Sequence, residues 1–184
     1  MIRIIKKDEI QSSHWTGGTT TELFIFPNSA SYNKMDFDFR ISTATIEADE
    51  STFTSLKDVR RTLMVLEGSL ELIHNNQAGI VLKPFQQDSF MGDWQTISRG
   101  LAVDFNLMLR DSTLSEQVEA ISVKQNASIT FAPEKHGFIY LYKGNAVLNK
   151  EVYLTSGHSV YFDEFDPITL LSKSKLKIIY VTLQ

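Results

Sequence analysis

Asp104, Asn106 and Met108 stand at alternate positions in Gly100-Leu101-Ala102-Val103-Asp104-Phe105-Asn106-Leu107-Met108-Leu109-Arg110, set between Val103, Phe105, Leu107 and Leu109. Side chains alternate across a strand, so this run has one apolar face and one face carrying an acid, an amide and a thioether. Two arrangements accommodate such a strand: its polar side meets water, or it walls a polar pocket. Asp38-Phe39-Arg40-Ile41-Ser42 follows the same design, with Phe37, Phe39 and Ile41 on one side and Arg40, Ser42 and Ala44 on the other. A guanidinium recognises a carboxylate through paired hydrogen bonds, and an Asn amide both donates and accepts, which suits an amide or formyl group. If both polar faces line one cavity, the chemistry is recognition of a small carboxylate, with Met108 as a polarizable wall. The alternative is that Arg40 and Asp104 neutralise each other as a buried pair, which costs in desolvation about what it returns.

His14-Trp15-Thr16-Gly17-Gly18-Thr19 also has two readings. Adjacent glycines let backbone N–H groups approach an anion, and Trp15 closes a pocket mouth. Equally, Gly17-Gly18 is a hairpin turn and Trp15 a core plug. No Gly-Lys-Ser/Thr ending follows, so this is not a Walker phosphate loop. The four histidines, His14, His74, His136 and His158, never stand one residue apart, and there is no cysteine. No metal site and no cofactor are therefore expected. His74 directly precedes a turn-like run at 75–79, so it is expected at the exposed surface.

The elements that must position these residues are strands. Short runs rich in Val, Ile, Phe, Tyr and Thr recur between Gly, Asn, Asp, Ser and Pro, which predicts an all-β chain with strands at 22–26, 37–46, 61–66, 70–74, 79–82, 101–109, 128–131, 137–142, 146–148, 151–154, 159–162, 168–171 and 175–182. Only 115–120 and the segment around 6–11 suit a short helical turn. The chain also repeats itself. Met64-Val65-Leu66-Glu67-Gly68-Ser69-Leu70-Glu71-Leu72 resembles Tyr140-Leu141-Tyr142-Lys143-Gly144-Asn145-Ala146-Val147-Leu148, and Gln87-Asp88-Ser89-Phe90 corresponds to Gly157-His158-Ser159-Val160. Two copies of strand-Gly-strand-turn-strand predict two related jelly-roll β-barrels, residues 1–110 and 111–184, with strand exchange between them allowed. Phe131, Phe138, Tyr140 and Phe162 are expected in the core between sheets.

Composition narrows the partners. A net charge of −4, without a basic run, speaks against nucleic acid. The segment 1–9 lacks the apolar stretch of a secretory signal, and no segment is long and apolar enough to span a bilayer. A cytoplasmic protein without a membrane partner, monomeric or homodimeric, is the expectation.

Several spaced elements resemble the HutD/Ves family of the cupin superfamily. They are Trp15-Thr16-Gly17-Gly18-Thr19-Thr20-Thr21-Glu22, Phe39-Arg40-Ile41-Ser42-Thr43-Ala44, Phe53-Thr54-Ser55-Leu56 followed by Arg61-Thr62-Leu63, then Leu66-Glu67-Gly68, Phe90-Met91-Gly92-Asp93 and the strand ending at Arg110. The resemblance implies a bicupin, two jelly-roll-like barrels packed as one compact unit, found in bacteria. It also implies, for some members, a role in tuning histidine degradation by binding a small intermediate such as formylglutamate, without an established catalytic activity. It adds Arg61 to the pocket with Arg40, Asp104, Asn106 and Met108. The family's Pro-Gly-x-Asp-Arg appears here as Lys57-Asp58-Val59-Arg60-Arg61, which reverses a charge beside Arg61.

Three functions follow. The first is a metal-free binding protein for a small carboxylate metabolite, with a regulatory role and with Trp15 and His14 at the pocket mouth. The second is an isomerase or hydrolase acting on an amino-acid derivative, with Asp104 or His14 as general base. The third is a structural or interaction protein whose polar face is only a buried network.

Overall fold

Residues 1–184 are described by a computed structural model. The chain forms β1 (Ile2–Ile5), β2 (Ser12–Trp15), β3 (Gly18–Phe26), β4 (Phe39–Ile46), β5 (Glu50–Thr52), β6 (Arg60–Gly68), β7 (Leu70–His74), β8 (Ile80–Leu82), β9 (Gln87–Met91) and β10 (Thr96–Arg99). It continues with β11 (Ala102–Leu109), β12 (Glu116–Val123), β13 (Ser128–Phe131), β14 (His136–Lys143), β15 (Asn145–Leu148), β16 (Val152–Thr155), β17 (Ser159–Asp163), β18 (Ile168–Ser172) and β19 (Leu176–Leu183). The only helical residues form two single 3-10 turns, Lys7–Glu9 and Tyr32–Lys34. The chain is all-β, as its alternating runs predict, and no helix is long and apolar enough to cross a membrane.

Contacts divide the chain into two compact units, Gln11–Ser112 and Met1–Ile10 with Thr113–Gln184. The first has a six-stranded sheet, β2-β3-β4-β11-β6-β9, and a four-stranded sheet, β5-β10-β7-β8. The second has a five-stranded sheet, β1-β17-β14-β19-β12, and a four-stranded sheet, β13-β18-β15-β16. None of the four sheets closes on itself. The repeat around Gly68 and Gly144 has a direct counterpart in pairing: the order β4-β11-β6-β9 recurs as β12-β19-β14-β17, and β5-β10-β7-β8 as β13-β18-β15-β16. The match of Ser89 with Ser159 is corrected by two residues, because Met64 faces Gln87 while its counterpart Tyr140 faces Ser159. Even the irregularities recur. β6 skips Leu66 where it pairs with β11, and β14 skips Tyr142 where it pairs with β19. Such a bulge sharpens local twist. It leads directly into Gly68 (φ +79°) and Gly144 (φ +95°), each of which passes close under the carbonyl of the residue just before the last strand of its unit, Leu101 and Lys175.

Each unit has its own core. In the first, Leu63, Val65 and Phe90 of the six-stranded sheet pack with Leu70, Leu72 and Leu82 of the four-stranded one. In the second, Phe131, Ile139, Leu170 and Ile178 are among the buried set, with Phe162 and the half-buried Tyr180 ring parallel at 6.4 Å.

Three further expectations are corrected. Residues 1–10, counted with the first half from sequence, join the second unit, because β1 pairs along its whole length with β17. The segment 115–120 is not helical: Glu116–Val123 runs in unbroken register with β19, and that pairing overrides its weak helical pattern. His74 is not exposed. It is 7% accessible, with Nε2 2.8 Å from Asp88 Oδ2 and Nδ1 2.8 Å from Thr96 Oγ1, and its ring packs 4.5 Å from that of Phe90. Because β7 and β9 belong to different sheets of the unit, the His74–Asp88 contact ties one sheet to the other.

A Cβ at Gly68 would lie 2.2 Å from the Leu101 carbonyl oxygen, on a backbone already in the left-handed region. Gly68→Ala is expected to destabilise the protein by roughly 2–4 kcal/mol in urea unfolding, from backbone strain plus displacement of β11. An unchanged unfolding midpoint would contradict this role for the bulge and its glycine.

Candidate functional site

Register decides which side chains meet. Across β4, β11 and β6 the rows are Arg40–Met108–Arg61, Ser42–Asn106–Leu63 and Ala44–Asp104–Val65. All of these point to one face of the six-stranded sheet, since alternate residues share a side. The opposite face of β11 carries Phe105, Leu107 and Leu109, each at most 3% accessible. β11 is therefore buried on both sides, and its polar row has no route to bulk water through a solvated sheet face.

The polar rows open on a cavity of about 300 Å³ within the first unit. β2 contributes Ser13 and Trp15, β3 Thr20, the turn at Tyr32–Lys34 the ring of Tyr32, and β4 Arg40, Ser42, Ala44 and Ile46. Thr52, Phe53 and Thr54 close one side, and Arg61, Asp104, Asn106 and Met108 complete the lining. Of the seven residues singled out from sequence, six line this cavity. His14 does not: on β2 it alternates with Ser13 and Trp15, so it faces away and is exposed. That removes it as a base or ligand contact here. Thr16 and Gly17 form the two-residue turn between β2 and β3 and Gly18 opens β3, so the hairpin is present with its turn one residue earlier than Gly17-Gly18. Trp15 is not a core plug. It is 40% accessible, and its ring fills the place where a Gly17 side chain would stand, with Cζ3 2.1 Å from an added Cβ.

The two arginines are held differently. Arg40 donates from Nε to Glu22 Oε2 at 2.7 Å, and its Cζ lies 4.5 Å from the centre of the Tyr32 ring. The proposed Arg40–Asp104 pair does not form; Glu22 neutralises Arg40. The Arg61 guanidinium packs between aromatic rings, 4.6 Å from Phe53 and 5.3 Å from Phe90, contacts that favour a desolvated cation. Its Nε is buried without a hydrogen-bond partner, and so are Asp104 Oδ1 and Asn106 Oδ1. Buried polar atoms are nearly always paired, so three unpartnered ones among the lining residues single this cavity out as the candidate site. Glu22, Tyr32 and Phe53 escaped the sequence reading. Glu22 carried a usable signal: it alternates with Thr20 on the strand next to Arg40.

Charges in this enclosure are displaced from their usual ionisation. Burial raises the Asp104 carboxyl to about 7, with the Arg61 charge opposing the rise. Burial lowers Arg61 to about 10, with Asp104 opposing the fall. The two groups sense each other without a direct hydrogen bond. No three His, Asp or Glu side chains gather as a metal-binding group.

The second unit shows the same strands without such a site. By register, Ile178 occupies the position of Asp104, Tyr180 that of Asn106 and Gly137 that of Arg61. Ile178 is fully buried, and Tyr180 packs against Phe131 at 4.6 Å.

Fold and site together define an all-β, cupin-like protein with a polar, arginine-bearing cavity in one of two duplicated units. No curated protein matches the sequence. The chain belongs to the HutD family, whose profile matches residues 7–180. Among solved structures it is similar to PA5104, a conserved protein of unknown function from Pseudomonas aeruginosa PAO1, at TM-score 0.85 and 16% identity over 100% of this chain and 99% of that one. It is similar to HutD from Pseudomonas fluorescens SBW25, in a structure from a formate condition, at TM-score 0.75 and 19% identity over the whole of both chains. The bacterial pirin YhhW from Escherichia coli, in complex with nickel(II), follows at TM-score 0.73 and 16% identity over 98% of each chain. At these identities the likeness establishes the fold.

The Asp104 carboxyl, near 7 when folded against 3.8 when free, holds its proton more tightly in the folded state between those values. Its contribution therefore favours folding below about pH 4 and is lost as pH rises toward 7. Asp104→Asn lacks this term. Its stability relative to wild type, from urea unfolding, is expected to climb by about 4 kcal/mol between pH 4 and pH 8. Parallel pH profiles for the two proteins would contradict a buried, raised carboxyl.

Proposed function

We propose that this protein is a metal-free binding protein whose cavity in the unit Gln11–Ser112 holds a small carboxylate metabolite of the formylglutamate kind, and that it regulates histidine utilisation. Its two units act together as a bicupin in the cytoplasm, as a monomer or homodimer, without nucleic-acid or membrane partners. The observation that carries the reading is Arg61: a buried guanidinium clamped between Phe53 and Phe90, with Nε unpartnered beside a cavity of about 300 Å³. A positioned, desolvated guanidinium suits a carboxylate, because a charge-assisted hydrogen bond to the ligand replaces the water it has lost. The volume suits a metabolite of modest size. Membership of the HutD family and the likeness to HutD support the connection to histidine utilisation.

One observation favours a second reading. A carboxyl raised to about 7 inside a cavity is poised for proton transfer, so Asp104 also suits a general base in an isomerase or hydrolase.

One experiment separates the readings. Thermal unfolding is followed with and without millimolar formylglutamate, glutamate, urocanate, histidine and formate. A ligand at a hundred times its Kd adds about 2.7 kcal/mol, which raises Tm by several degrees. The shift is expected to vanish in Arg61→Ala and in Arg61→Met, the latter retaining bulk and the contact with Phe53. Product formation from the same compounds would transfer the role to the enzyme reading. No shift across the panel would overturn carboxylate binding.

A further inference from the structure

Three polar atoms around the cavity are buried and unpartnered, and their kinds differ. Arg61 Nε is a donor; Asp104 Oδ1 and Asn106 Oδ1 are acceptors. A simple carboxylate brings only acceptors. It satisfies Arg61 and leaves two oxygens facing an anion in a desolvated space, where each unmade hydrogen bond is costly.

Resting on the reading that this cavity takes a small carboxylate, but departing from its N-acylated example, we propose that its occupant is a zwitterionic amino acid, with the carboxylate on Arg61 and a free ammonium group shared by Asp104 and Asn106. Asp104 and Asn106 are alternate residues on one face of β11, and Asn106 lies between Asp104 and the row that carries Arg61. The acceptors are therefore neighbours, and the donor lies toward the other end of the row. An amide N–H supplies one donor for two acceptors. An ammonium supplies three.

Glu22 on β3 neutralises Arg40 on β4, so the guanidinium left for a carboxylate is that of Arg61, with Asp104 as the carboxyl beside it. The raised carboxyl of Asp104 agrees: Arg61 alone is too little positive charge to hold it ionised near neutrality. A bound ammonium would hold it ionised, so an amino acid entering near pH 7 expels a proton from Asp104. A plain carboxylate keeps that proton in place.

Isothermal titration calorimetry on matched pairs tests the inference: glutamate with glutarate, 4-aminobutyrate with butyrate, and histidine with imidazolepropionate, with N-formylglutamate as the acylated control. For at least one pair the amine-bearing member is expected to bind at least tenfold more tightly. It should release a proton at pH 7, read from the difference in heat between two buffers of different ionisation enthalpy. Asp104→Asn should erase both the preference for the amine-bearing member and the proton release. Equal binding within every pair, or tighter binding of N-formylglutamate than of glutamate, would overturn the ammonium site and leave carboxylate binding standing. No binding by any compound would remove carboxylate recognition and this inference with it.

Discussion

A guanidinium and a carboxyl group buried on the inner face of one sheet, close enough to sense each other and too far apart to bond, set the terms for the rest of the first unit. Removing such groups from water costs several kcal/mol per ion, and an ion pair that never closes returns little of it. The surroundings limit that cost. Phe53 and Phe90 cover the Arg61 guanidinium, Glu22 and Tyr32 hold Arg40, and Asp104 moves toward its neutral form. Stability comes from elsewhere: the other face of β11 is a dense apolar row, and the His74–Asp88 contact ties the two sheets of the unit together. The scaffold tolerates an expensive interior because its remaining surfaces are packed.

The duplicated unit supplies an internal control. It has the same strand pairing, the same bulge and the same glycine beyond it, yet Ile178, Tyr180 and Gly137 stand where the first unit has Asp104, Asn106 and Arg61. The strand arrangement is thus equally compatible with a filled apolar core. Polarity in the first unit belongs to its sequence and not to the architecture, which is why function is assigned to that unit. Retaining orphaned donors and acceptors where a hydrophobic core was available is intelligible if a ligand completes them.

Much of this was legible before the structure. The two-faced runs around Arg40 and Asp104 gave both the all-β class and the polar wall, since period-two alternation links side-chain chemistry directly to sheet faces. The repeat was visible because a Gly at positive φ and its flanking strands recur together. What escaped depended on long-range partners. β2, β5, β9 and β10 are short and polar, and they become strands only by pairing. The segment 115–120 has weak local preference and yields to β19. His74 looked exposed because its sequence neighbours form a turn, while Asp88 and Thr96, which bury it, arrive from other strands. The alternative pairing of Arg40 with Asp104 rests on residues that share a sheet face, whereas its partner Glu22 reaches it from the adjacent strand.

Arg61 Nε is buried without a partner in the protein, and if a carboxylate binds there its own N–H reports it. The most direct measurement is the Nε–H resonance of Arg61 in a nitrogen–proton correlation spectrum, assigned by its loss in Arg61→Met and followed during titration with glutamate, formylglutamate and formate. The account predicts that at least one of them moves this resonance progressively to saturation, in the direction of a stronger hydrogen bond, while the Arg40 resonance, already engaged with Glu22, moves little. An Arg61 resonance unmoved by all three would contradict it.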